Sequence, residues 1–165
     1  MAVIDEPRKA FLPTRLLMRL PVPWVFMLAY LAGVELQRLA PVGIGRPGVA
    51  LTVKAAGAAL LGLGAGLAAW GLFAFFRART TTTPGNAPAK LVTGGPYRFT
   101  RNPMYVGLTL AYLGEAGILV QIWPLLPLLL VLAYLSATVI PVEEASLRSF
   151  GEEYAQYCRR VRRWI

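Results

Sequence analysis

The chain has 165 residues, of which 56% are hydrophobic, with a mean hydropathy of +0.55 and no histidine. So apolar a composition excludes an ordinary soluble domain, and the missing imidazole removes the commonest general base, proton shuttle and metal ligand. Seventeen Lys and Arg stand against 8 Asp and Glu, and because no DNA- or RNA-binding motif accompanies that charge, anionic lipid headgroups are the expected partner and nucleic acid is not.

In chain order, residues 1–21 read as an interfacial segment. Phe11, Leu12, Leu16, Leu17 and Leu20 are interleaved with Arg15 and Arg19, which leaves no continuous apolar core for a cleavable leader. A bilayer core needs about 20 apolar helical residues, with roughly 17 as a practical minimum. Four stretches qualify: residues 22–40, 51–76, 104–120 and 123–140. Only Gln121 and Ile122 separate the last two, and Pro124 stands just inside the fourth helix, so a tight helical hairpin is expected. The fold class is therefore all-α: one integral membrane domain over residues 1–165, a bundle of four transmembrane helices with a C-terminal amphipathic interfacial helix over 141–165.

Four spans put the amino terminus, the 77–102 connection and the carboxyl tail on one side. That side carries 14 of the 17 basic residues, and only Arg38, Arg46 and Lys54 lie opposite. The positive-inside rule makes the richer side cytoplasmic. The expected location is a cell membrane of the bacterial inner-membrane kind, with both termini inside.

Within the second span, Gly62 and Gly66 with Ala58 and Ala69 read as a close helix-packing face and not as a nucleotide-binding loop, since no strand precedes them. Glu115, inside the third span, sits about 9 Å from its far end, where a structural ion pair with Arg38 or Lys54 is expected. Thr80 to Thr83 with Pro84, Gly85 and Pro88 form a polar loop.

The densest polar chemistry is the stretch GGPYRFTRNPMYVG, residues 94–107. Gly94, Gly95 and Pro96 impose a turn that delivers Tyr97 and Arg98, and Asn102 before Pro103 is a helix-start signal. A helix N-terminus beside Arg101 suits an anion; a membrane border with a tyrosine belt and snorkelling arginines is the plainer reading. The hairpin returns Glu143 and Glu144 to the same surface. An anion-binding helix start facing paired carboxylates suits a zwitterionic ligand, although the two acids also fit a plain role at the start of the tail helix.

That tail is amphipathic, with Leu147, Phe150, Tyr154, Tyr157, Val161 and Trp164 at three- and four-residue steps. It is expected on the membrane surface over the site, with Gly151 a candidate break. Cys158, the single cysteine, reads as a small residue on this helix, and neither an internal disulfide nor a metal site is expected.

GGPYRFTRNPMYVG, the Glu143–Glu144 pair and FGEEYAQYCRRV at 150–161 together resemble the isoprenylcysteine carboxyl methyltransferase family and its phospholipid methyltransferase relatives. The resemblance covers roughly residues 60–163. It implies a small integral membrane methyltransferase that uses S-adenosylmethionine and releases S-adenosylhomocysteine. By position, Tyr97, Arg101, Asn102, Pro103, Tyr105 and Gly107 would line one wall of the cofactor site, and Glu143 and Glu144 the other. Arg101, Asn102 and Tyr105 would be the catalytic set. On this reading Arg101 and the helix start hold the methionine carboxylate, Glu144 or Glu143 takes a ribose hydroxyl or the amino group, and the tyrosines face the sulfonium.

Two departures bear on the acceptor. Asn102 stands where the prenylcysteine enzymes typically carry histidine, and Val139 to Val142 supply no basic residue before the acids. RNPMYVGLTLAYLG is closer to the phospholipid methyltransferases. The acceptor stays open among a lipid amine, a thiol and a carboxylate, each lipophilic or small, and no obligate protein partner is expected. Sulfonium methyl transfer depends on positioning more than on a base, which makes a site without histidine workable. Two rival readings are a membrane NADPH-dependent reductase of the sterol-reductase type and a non-enzymatic four-helix membrane module.

Overall fold

In a computed structural model, which describes residues 20–43, 47–79 and 90–165, helices account for all the regular structure of the described residues. Helix α1 spans Val22–Leu39, α2 Pro47–Ala78 and α3 Pro103–Ile118. One rod follows, made of α4 (Leu125–Tyr134), a π-helical stretch (Leu135–Val139), α5 (Ile140–Leu147) and a 3-10 turn (Arg148–Phe150), and α6 spans Glu152–Arg160. The interfacial reading of the first residues, Arg46 and the Thr80 to Pro88 loop lie outside the described residues.

Two of the described helices are long and apolar enough to cross a membrane, Gly48–Ala78 and Leu125–Phe150. Helices α1 and α3, with 18 and 16 residues, are shorter. At about 1.5 Å per residue the 32 residues of α2 reach roughly 48 Å, well beyond a hydrocarbon core of about 30 Å. The outward faces of α1, α2 and α4 expose Trp24, Leu28, Leu63, Phe73, Leu129 and Leu130, a pattern that suits lipid better than water.

Helices α2 and α3 pack backbone to backbone. Cβ atoms added at Gly57, Gly64 and Gly71, one every seven residues, would lie 2.6 Å from Gly114 O, 2.4 Å from Ala111 N and 2.8 Å from Met104 Cγ. Gly107 and Gly114 answer from α3, at 2.6 Å from Ala68 N and 2.4 Å from Leu61 N. Only glycine allows so close an approach. The expectation of close packing at Gly62 and Gly66 is corrected: among the described residues, no neighbouring element has an atom within 4 Å of either added Cβ. A seven-residue glycine repeat keeps one face of the helix toward its neighbour, and the four-residue pair lies off that face.

The hairpin between α3 and α4 closes on Val120. Gln121 N–H donates to Ala116 O at 2.9 Å and Val120 N–H to Gly117 O at 3.1 Å, the two bonds of a Schellman ending. Val120 occupies its left-handed position at φ +54, which a β-branched residue seldom adopts. Tyr112 O–H donates to Pro124 O at 2.8 Å and ties the hairpin together.

The fourth expected span does not stop at residue 140. Pro141 has no N–H, and its ring would crowd a carbonyl of the preceding turn in a regular helix. The π stretch just before it relieves this: Ile140 N–H bonds to Leu135 O, five residues back. The extra residue rotates everything downstream by about 100° relative to an unbroken helix. Glu143 and Glu144 therefore ride on a continuation of the same rod.

Gly151, at φ +58, breaks the tail as anticipated. Beyond it the apolar face of α6 is covered by protein: Tyr154, Tyr157 and Val161 are buried with Tyr97, against Phe75, Leu91 and Val92. The expected pair between Glu115 and Arg38 or Lys54 is not formed. Arg38 instead reaches Glu35 at 3.2 Å, three residues back on its own helix, a partner held nearby at little entropic cost. Glu115 is exposed and has no ion-pair partner among the described residues.

Candidate active site

The stretch from Gly94 to Gly107 folds as its turn residues require. Gly95, at φ +60, opens a 3-10 turn over Gly95–Arg98 that buries Tyr97 and leaves Arg98 exposed, so the two side chains part company. Tyr97 packs edge-on against Phe75 at 5.4 Å between ring centroids, and its carbonyl accepts from Tyr157 O–H at 2.8 Å. The Tyr97 hydroxyl is buried with no hydrogen-bond partner among the described residues.

Asn102 begins α3, and its carbonyl accepts from Val106 N–H at 3.0 Å. Its side chain does not cap the helix. Asn102 Nδ2 donates instead to Arg163 O at 2.8 Å, sixty-one residues away in the chain. Pro103 is buried against Gly71, and Gly107 lies in the α2–α3 seam, so neither reaches the cavity described next.

The two ends of the hairpin meet here. Arg101 Nη2 lies 3.2 Å from Glu144 Oε1, with both side chains 16% exposed. Tyr105 O–H donates to Glu143 Oε1 at 2.6 Å. Thus both acids meet residues of the 94–107 stretch, but of the side chains expected to share one pocket only Arg101 and Glu144 line a cavity, and Tyr97, Asn102, Tyr105 and Glu143 stand outside its lining. That cavity, of about 330 Å³, opens beside the Arg101–Glu144 pair, lined also by Arg148, Gly151, Tyr154, Ala155 and Cys158. Its size falls at the lower end of small-molecule sites, roughly 300–1,000 Å³.

The tail contributes what the sequence reading left out. Gly151, Tyr154, Ala155 and Cys158 recur at three- and four-residue steps, one face of a helix, and that spacing was the available signal. Cys158 Sγ accepts from Arg101 Nη1, while Arg101 Nε is buried with no partner among the described residues. Burial pushes the Tyr154 and Tyr157 hydroxyls well above their ordinary range, and burial with the neighbouring Tyr157 and Glu143 does the same for Tyr97. All three stay neutral at any physiological pH, and Tyr154, the one of them that lines the cavity, offers it an uncharged aromatic surface beside Arg101, Glu144 and Arg148. No group of histidine, cysteine and acid side chains among the described residues could hold a metal ion.

A family model of phospholipid methyltransferases matches residues 52–153. The chain belongs to that phospholipid methyltransferase family. Curated proteins and solved structures gave no match. For a phospholipid methyltransferase relative, two long apolar helices are in keeping, and the chain is a membrane protein of a methyltransferase family. The matched region holds the glycine seam, the turn at Tyr97, Arg101, Tyr105 and both acids, and it ends inside the first turn of α6. Tyr154, Cys158 and Arg163 lie beyond it.

Proposed function

We propose that the chain transfers a methyl group from S-adenosylmethionine to a lipophilic or small acceptor at the cytoplasmic border of a cell membrane. The observation that carries the reading is the Arg101–Glu144 pair set in the wall of a cavity of about 330 Å³. A cofactor that carries a carboxylate, an ammonium, two ribose hydroxyls and a sulfonium needs a cation, an anion and aromatic surface close together. Arg101, Glu144 and Tyr154 supply these, and the unpartnered Arg101 Nε fits a donor with capacity left for a ligand.

Bound S-adenosylmethionine would supply the electrophilic methyl group. Arg101 would hold its carboxylate and Glu144 its amino group or ribose. Tyr105 keeps Glu143 oriented beside the pair, where it would face the polar end of the acceptor. Because the displacement is in line, the residues act by aiming the acceptor and excluding water. An acceptor of lipid type would arrive from the bilayer, and the cofactor from the cytoplasm.

The same reading takes α1 and α3 as further spans, giving a four-helix bundle with both termini inside, as the charge bias favours. The test is methyl transfer from radiolabelled S-adenosylmethionine by the detergent-solubilised protein to a panel of lipid amines, thiols and prenylcysteine carboxylates. Labelled product from at least one acceptor class is expected. Absence of transfer to every class, together with oxidation of NADPH by an unsaturated sterol, would replace the proposal with the reductase reading.

A further inference from the structure

Beyond Val161, the last residues cross over the start of α3 as a strap. Arg101 N–H donates to Arg162 O at 2.9 Å, and Arg163 O accepts from Thr100 Oγ1 at 3.2 Å and Asn102 Nδ2 at 2.8 Å. Trp164 anchors the strap by packing against the main apolar core. On the strap, the Arg163 guanidinium grips the Glu144 carboxylate with two bonds, Nη2 to Oε2 at 2.6 Å and Nε to Oε1 at 3.1 Å. Arg101 touches the same carboxylate through one longer contact of 3.2 Å.

These two arginines are not equivalent. Arg101 lines the cavity and has an unpartnered Nε, whereas Arg163 stands outside the lining. A forked pair fixes both oxygens of a carboxylate, while a single contact leaves the guanidinium able to turn. A carboxylate entering the cavity would compete with Glu144 for Arg101. If Arg101 were the sole partner of Glu144, that exchange would strand a partly buried charge, at a cost that would oppose binding.

We propose that Arg163, outside the family match, is a positioning residue that holds the Glu144 carboxylate oriented while Arg101 is handed from Glu144 to the carboxylate of the ligand. The inference rests on the cofactor reading above. Arg163 acts through Glu144 and touches no ligand itself.

The test measures S-adenosylhomocysteine affinity by calorimetry on the full detergent-solubilised chain, with the melting midpoint of each unliganded protein recorded in parallel. Arg163→Gln is expected to weaken binding roughly 10- to 100-fold, and Arg163→Lys, which keeps the charge and loses the fork, about three- to tenfold. In a Glu144→Gln background, Arg163→Gln should change affinity by less than about twofold, because the two residues act as one unit. A merely structural strap would lower the melting midpoint and leave the losses multiplicative. Affinity within about twofold of wild type for Arg163→Gln, or simple multiplication of its loss with that of Glu144→Gln, would overturn the inference. Should Arg163→Gln fail to fold, Arg163→Lys decides: equal affinity to wild type overturns the proposal. Wild-type protein that binds no S-adenosylhomocysteine would overturn the cofactor reading as well, a result distinct from intact wild-type binding with unaffected variants.

Discussion

Tyr105 and Glu143 meet across 38 residues of chain through one hydrogen bond of 2.6 Å. Tyr105→Phe deletes the donor and leaves the ring, so the packing survives while the carboxylate loses its orientation. A loss of about 1.4 kcal/mol, or roughly tenfold in methyl transfer, is expected with little change in melting midpoint. Arg101→Ala should weaken S-adenosylhomocysteine binding by about 2 kcal/mol, roughly thirtyfold, read by calorimetry. The partners of these two residues were legible because Asn102-Pro103 marks a helix start and Pro141-Val142-Glu143-Glu144 follows an apolar run of spanning length. Arg163 was not legible. Its contacts with Asn102 and Glu144 join an extended strap to a helix start and to the interior of another helix, and no periodicity links such positions.

Among the elements, the α2–α3 seam and the Val120 turn give separable outcomes. Gly64→Leu places a side chain into the backbone of α3, where even a Cβ would sit 2.4 Å from Ala111 N, and should abolish recovery of folded protein on size-exclusion chromatography. Gly62→Leu on the open face should be tolerated. Val120→Gly removes a left-handed conformation from a β-branched residue and should raise stability by about 1 kcal/mol in denaturant titration. The helices themselves could be read from hydropathy, since an apolar run of spanning length has few other ways to satisfy its backbone in lipid. Which glycines form the seam could not, because Gly57, Gly62, Gly64, Gly66 and Gly71 offer both four- and seven-residue spacings, and only the partner helix selects between them. The π stretch before Pro141 was equally hidden: a proline in an apolar run predicts strain there, not the way in which it is relieved.

At the scale of the whole molecule, the glycine seam fixes α2 to α3, the hairpin returns α4 and α5 beside α3, and the tail closes over the junction. That geometry places Glu144, Arg101 and one face of α6 around a single cavity, with Glu143 held by Tyr105 outside its lining. Reporter fusions after residue 42 and residue 165 should report opposite sides of the membrane, the second cytoplasmic. The central claim, that this cavity is a cofactor site, is tested most directly by calorimetry of the solubilised wild-type chain against S-adenosylhomocysteine and against NADPH. Saturable binding of S-adenosylhomocysteine that Glu144→Gln weakens, with no heat from NADPH, is the predicted result. No S-adenosylhomocysteine binding, or binding that Glu144→Gln leaves unchanged, would contradict it.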